Sequence, residues 1–246
     1  FVFYFALSAM LFRFSADLSL GEILDWNFVA AYLWASMTVY LIATAIGFLR
    51  RRPMEEIAVE AQCAVIGNTG FLGIPMFALL LGPQAVGPLM LVLAVDLIVF
   101  SSLIVIIVTG SRDGRVSPAV LRTVGLGLLR NPMIVAITAG LAWSALDLPF
   151  PGPMESFLAL LGGAATPGAL FAIGASLAGK SVERVAVAGY LAAFKLVMHP
   201  AAVAFAALVL FPVEPFPSMV MIAAAALPVA GNVYILAQHY GVAPAR

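Results

Sequence analysis

The 246-residue chain carries no net charge, is 63% hydrophobic and holds only 10% charged residues, with a mean hydropathy of +1.10. A soluble globular domain uses about 25% charged residues, so this chain lacks the polar surface to face water and reads as an integral membrane protein. Zero net charge excludes a bulk attraction to nucleic acid, and a single cysteine, Cys63, excludes an internal disulfide framework.

A spanning helix needs about 20 mostly apolar residues, and the runs here are long and continuous rather than the alternating segments of a membrane barrel. In chain order they predict eight spans. The first covers 1–14, and its start at Phe1 rather than Met predicts a preceding segment in the intact protein. The second covers 27–49 and runs into Arg50, Arg51 and Arg52. The third, 57–81, contains "GNTGFLGIP", which places Asn68, Gly70, Gly73 and Pro75 inside a membrane helix. The fourth, 86–109, carries Asp96. A connection over 110–130 reads as a charged strip, "SRDGR", followed by a short amphipathic stretch. The fifth covers 131–146 and the sixth 156–178. The seventh, 186–211, carries Lys195 and His199. The eighth, 217–239, is interrupted in "ALPVAGNVYIL" at Pro228, Gly231 and Asn232.

Charge orients these spans. Ten of the twelve Lys and Arg residues fall in the loops 50–56, 110–130 and 179–185 and the tail; Arg13 falls on the opposite side and Lys195 inside a span. The positive-inside rule makes the basic loops cytoplasmic. Acidic residues (Asp17, Glu22, Asp25, Asp147, Glu155, Glu214) occupy the alternate loops.

The segments "SAMLFRFSADL" (8–18) and "PGALFAIGASL" (167–177) match at Leu11-Phe12 with Leu170-Phe171, Ala16 with Ala175 and Leu18 with Leu177. They stand in the first and sixth spans, an odd offset of five, so the two copies run in opposite senses across the membrane. The same offset carries Pro75 to the neighbourhood of Pro228. Two Gly/Pro-interrupted spans at corresponding places in two halves point to a transporter binding site. Backbone groups freed in lipid cost several kcal/mol each, so such breaks persist only where they are buried or line a cavity. There they offer helix termini to an anion. Pairing the remaining spans predicts two inverted five-helix repeats, with ten spans in the intact protein and about eight in this stretch. The chain is then one transmembrane transporter domain over 1–246: a first half-repeat 1–109, a cytoplasmic linker 110–130 and a second half-repeat 131–246.

On "ALSAMLF", "GNTGFLGIP", "AATPGALFAIGASLAG", "FKLVMHP" and "LPVAGNVYILAQHYG", the chain resembles the auxin efflux carrier family, which includes bacterial malonate-carrier-like members. Ser8 stands where the family pattern usually has a proline. The resemblance implies an all-α polytopic bundle in which the third and last spans cross at their breaks, a scaffold supporting a mobile transport part, and movement of small organic anions.

Asn68, Thr69, Gly70, Pro75, Pro228 and Asn232 are therefore the expected substrate-binding residues. Neutral amides donate and accept without a full charge penalty; the competing role for them is capping the broken half-helices. Asp96, Lys195 and His199 lie near the midplane, where a charge costs at least about 2.5–3.5 kcal/mol. Lys195 and His199 share a helix face. Either Asp96 and Lys195 form a buried structural ion pair that fixes helix packing, or they pair and His199 or Asp96 takes up the coupling proton; the structural role is placed first. Glu60 and Gln62 are expected at the solvated cytoplasmic interface, and Trp26, Trp34, Trp143, Tyr190, Tyr240 and His239 near the membrane surface. The expected function is secondary transport of a mono- or dicarboxylate, malonate- or auxin-like, through the cytoplasmic membrane. The alternative is a sodium-coupled symporter of the bile-acid type. No cofactor, metal site, catalytic residue or nucleic-acid face is expected; the partners are the organic anion, the bilayer and a proton, with a homodimer left open.

Overall fold

The computed structural model describes residues 1–18, 25–113, 118–178 and 185–231, together with Val233, Ala237, Gly241 and Val242. Among these the regular elements are all helical. They are α1 (Val2–Ala16), α2 (Trp26–Leu49), α3 (Met54–Val65), α4 (Thr69–Leu81), α5 (Pro83–Arg112), α6 (Pro118–Arg130), α7 (Pro132–Ala145), α8 (Gly152–Gly163), α9 (Ala165–Leu177), α10 (Val185–Leu210) and α11 (Pro215–Ala225).

Local chemistry sets many of the ends. The Asp25 carboxylate accepts from the N–H groups of Asn27 and Phe28 and starts α2. Pro118, Pro132 and Pro215 open α6, α7 and α11, where a missing N–H is no loss. Gly82, at φ 88°, stops α4 in a conformation that a side chain resists. The stretch expected as a loosely amphipathic end to the 110–130 connection is the helix α6, which meets α7 at a 68° bend over Asn131.

Among the described residues four helical runs are long and apolar enough to cross a bilayer alone: Trp26–Leu49, Pro83–Arg112, Val185–Leu210 and the run Gly152–Ala172, in which α8 continues into the first half of α9. The bent α6–α7 pair makes a fifth if it counts as one span. The other expected spans are shorter apolar helices, for a physical reason. The span expected over 57–81 is divided between α3 and α4, and the one expected over 217–239 is divided after Ala225, with Gly231, Val233 and Ala237 helical beyond it.

Packing falls into two neighbourhoods. α1 packs chiefly against α7 and α8, and its first turns also meet α9. The α1–α7 approach is close enough that a Cβ on Gly140 would lie 2.5 Å from the Phe12 carbonyl oxygen. Small residues allow this where lipid supplies no hydrophobic drive between helices. In the second neighbourhood α2, α3, α5, α10 and α11 pack on one another, and α4 runs from α5 towards α9. Large apolar side chains such as Leu49, Leu79, Leu160 and Val197 lie on the outside. Tyr32, Ser36, Asp96, Lys195 and His199 lie inside. That distribution suits a bilayer and would be an aggregation hazard in water.

Candidate functional site

The site is built on the two breaks. Between α3 and α4 the chain is extended at Ile66, then turns at Asn68. Between α11 and the last helical residues it passes through Leu227, Pro228 and Val229. The two extended pieces lie antiparallel, with a bridge between Gly67 and Val229. The Asn68 N–H donates to the Pro228 carbonyl at 2.8 Å, and the Ala230 N–H donates to the Ile66 carbonyl at 3.2 Å. Each break thus satisfies backbone groups of the other, which lets irregular backbone persist within an apolar bundle. A Cβ on Gly67 would meet the Ala224 carbonyl oxygen at 3.1 Å, so glycine permits the crossing itself.

The crossing gathers helix ends of both polarities. α4 begins at Thr69, and its first backbone bonds run from the N–H groups of Leu72 and Gly73 back to the Asn68 carbonyl. The N–H groups of Thr69, Gly70 and Phe71 precede those bonds, at the positive end of the helix dipole. The Asn68 side chain makes no capping bond to α4. Its Oδ1 and the Thr69 Oγ1 are buried without a hydrogen-bond partner. Capping, the competing role for Asn68, is therefore not what this amide does. A buried polar atom left unpaired costs about 1–3 kcal/mol, and two such atoms beside one helix N-terminus form a receptive patch.

The negative ends meet a cation. Lys195 is 1% exposed, donates to the Ala225 carbonyl at the end of α11 and lies 3.1 Å from His199 Nδ1. Its Nζ would be 3.4 Å from a Cβ on Gly67, so the ammonium also sits beside the end of α3. A positive charge at two helix C-termini is the favourable arrangement. His199 Nε2 is 2.9 Å from Ser36 Oγ, and one turn away on α2 the Tyr32 hydroxyl donates to Asp96 Oδ1 at 2.9 Å. The Tyr32 and His199 rings lie 5.9 Å apart, centroid to centroid. Asp96 and Lys195 each fall in a widened helical turn. In one the Ser101 N–H reaches back to the Asp96 carbonyl; in the other the His199 N–H reaches the Phe194 carbonyl.

The expected Asp96–Lys195 ion pair does not form. The ion pairs among the described residues are Arg50–Glu60, Arg52–Glu56 and Arg112–Glu55. Lys195 is drawn to the carbonyl end of α11 instead, and Asp96 turns to Tyr32, with its Oδ2 unpartnered. Glu60 and Gln62 are buried rather than solvated. Glu60 accepts from Arg50 at 2.7 Å and from the hydroxyl of the half-buried Tyr190.

Of the expected substrate-binding residues, Asn68, Thr69, Gly70 and Pro228 come together at the crossing. Pro75 does not: it lies about two turns further along α4, in the wall of a cavity of about 210 Å³ bounded by α1, α8 and α9. Asn232, Tyr240 and His239 lie outside the described residues. Tyr32 and Ser36 went unread in the sequence, although two hydroxyls four residues apart in a span share one helix face.

Helices broken within a lipid-facing bundle, and meeting over buried unpartnered polar groups, define a polytopic membrane transport protein. The chain belongs to the family described as "Membrane transport protein", which matches residues 1–246 and is the family its motifs resemble. It is 30% identical over 248 residues to the "Putative malonate transporter" of Rhizobium meliloti (strain 1021), covering 98% of this chain and 77% of that protein. It is also 28% identical over 193 residues to the "Lysosomal cholesterol signaling protein" of Mus musculus, covering 73% of this chain and 22% of that one. Family and first relative point to a transporter rather than to an enzyme.

Proposed function

We propose that this protein is a secondary active transporter that moves a small organic anion, a mono- or dicarboxylate such as malonate, across the cytoplasmic membrane by alternating access at the crossed breaks. The observation that carries this is the buried, unpartnered Thr69 hydroxyl beside the N–H groups that open α4, with the Asn68 side-chain amide, which caps nothing, supplying its NH2 as a further donor. An anion placed there meets donors and a favourable dipole without a neutralising side chain to displace. Malonate as the first substrate to try comes from the relative's name. Two inverted five-helix repeats would give the crossing its antiparallel form, and the basic loops would face the cytoplasm.

Lys195 bears on coupling. Its ammonium stands at the two helix C-termini where a coupling cation would have to be held. A fixed charge there disfavours sodium and leaves a proton or the membrane potential as the driving term. The test uses the full-length protein in proteoliposomes, following labelled malonate under an imposed pH gradient and then a sodium gradient, with Asn68→Ala and Asn232→Ala beside the unaltered protein. Flux driven by the pH gradient and lost in both variants is the expected outcome. Absence of flux under both gradients for malonate and for every other short mono- or dicarboxylate tried in its place would overturn the proposal.

A further inference from the structure

Arg13 is the one basic residue that the charge pattern places on the side opposite the cytoplasmic loops. It lies in the last turn of α1, half-buried, and no carboxylate among the described residues is within ion-pairing distance of it. It lines the cavity of about 210 Å³ described above, along with Phe14 of α1, Pro75 of α4, Ala159 and Gly162 of α8 and Thr166 of α9. This cavity lies on the seam between the two packing neighbourhoods, with α4 on one side and α1, α8 and α9 on the other.

We propose that this cavity is an outward-facing carboxylate site in which the Arg13 guanidinium holds the anion on its way to the crossing. The inference rests on the carrier reading above, because a site two turns outside a break on α4 is useful to an anion that continues inward. Three features fix the ligand class. A guanidinium offers a planar fork of N–H donors that matches a carboxylate in two parallel bonds, and here no protein carboxylate occupies that fork. Thr166 adds a hydroxyl that can donate to a further oxygen. The remaining wall is apolar and shaped by small residues, which suits a short carbon skeleton. The volume is below the about 300–1,000 Å³ of pockets for drug-sized ligands, which favours an acid of a few carbons over a large amphiphile.

Two other uses of Arg13 predict different results. A cation in the last turn favours the α1 dipole and would bind nothing. A guanidinium near the membrane surface could instead hold a lipid phosphate, which shares the same donor chemistry. The experiment measures the malonate-induced rise in Tm of the full-length purified protein, and the KM for malonate entering from the outer face of proteoliposomes. The variants are Arg13→Gln, Arg13→Lys and Ala159→Phe. The last fills the cavity and leaves the guanidinium in place, so it carries the test if Arg13→Gln fails to fold.

Malonate is expected to raise Tm in the unaltered protein, whereas the uncharged diamide malonamide does not. Arg13→Gln and Ala159→Phe reduce that rise and weaken the malonate KM by about tenfold or more, the scale of one charge-assisted pair. Arg13→Lys keeps the charge without the fork and falls between. An unchanged malonate response in Arg13→Gln and Ala159→Phe overturns the site. So does a response of Arg13 variants to anionic lipid alone, or no malonate-induced rise in the unaltered protein. The two proposals fail separately. Flux that survives Arg13→Gln but not Asn68→Ala leaves the carrier and removes this site. Arg13-dependent binding without flux in any gradient leaves the site and removes the carrier.

Discussion

Replacing Asn68 with alanine separates a binding amide from a structural one. Asn68 is 6% exposed, caps nothing, and its Oδ1 has no partner. Removing a helix-capping side chain would destabilise the protein by about 0.5–2 kcal/mol. Removing an amide whose buried oxygen is already unsatisfied forfeits no protein hydrogen bond and relieves a penalty of about 1–3 kcal/mol, against the small void it leaves. Asn68→Ala is therefore expected to hold or raise Tm. Anion binding, in contrast, loses a hydrogen bond to a charged group, worth about 1.5–3 kcal/mol, which weakens affinity by about 10- to 150-fold. The assay pairs thermal unfolding of the purified full-length protein with the malonate concentration dependence of flux. A fall in Tm with an unchanged KM would refute the reasoning, because it would make Asn68 a structural residue.

Lys195→Met removes the ammonium's bonds to the Ala225 carbonyl and to His199 Nδ1, at about 1–3 kcal/mol for each group left unsatisfied. His199 still bonds to the Ala225 backbone, and the change releases a buried charge that itself costs at least about 2.5–3.5 kcal/mol. Tm should change little while malonate flux falls by more than about tenfold; flux at the original rate would remove Lys195 from the transport cycle. Gly140→Val forces α1 and α7 apart, since even a Cβ there would lie 2.5 Å from the Phe12 carbonyl oxygen. Overpacking of this kind costs about 1–3 kcal/mol, read as a drop of about 2–4 °C in Tm per kcal/mol for a chain of this size; an unshifted Tm contradicts the close contact. Tyr32→Phe and Asp96→Leu, singly and together, should be non-additive in Tm by about 0.5 kcal/mol or more, because the hydroxyl and the carboxylate are each other's partner. Strict additivity would break that pair.

The all-helical membrane class and the two breaks were legible in the residues because both depend on local chemistry. A bilayer demands long apolar runs whatever surrounds them, and Gly67 and Pro228 stand at the breaks themselves. Long-range pairing was not legible. Asp96 and Lys195 looked like a pair by depth and opposite charge, yet the rotation of α5 and α10 turns one to Tyr32 and the other to the end of α11. Arg13 read only as the basic residue on the side opposite the cytoplasmic loops, yet α4, α8 and α9 form an open cavity that it lines. Glu60 looked solvated because nothing in its own segment announces that Arg50 and Tyr190 converge on it.

The sequence by itself determined that the chain resides in a membrane, that it is helical and where two of its helices must break, since those follow from burial of apolar surface and from the backbone limits of single residues. Only the tertiary structure decided that the two breaks bond to each other, which polar groups stay unpartnered at their crossing and which cation stands at the helix ends. Those outcomes depend on helix rotation and packing between segments more than 100 residues apart, as with Asn68 and Pro228.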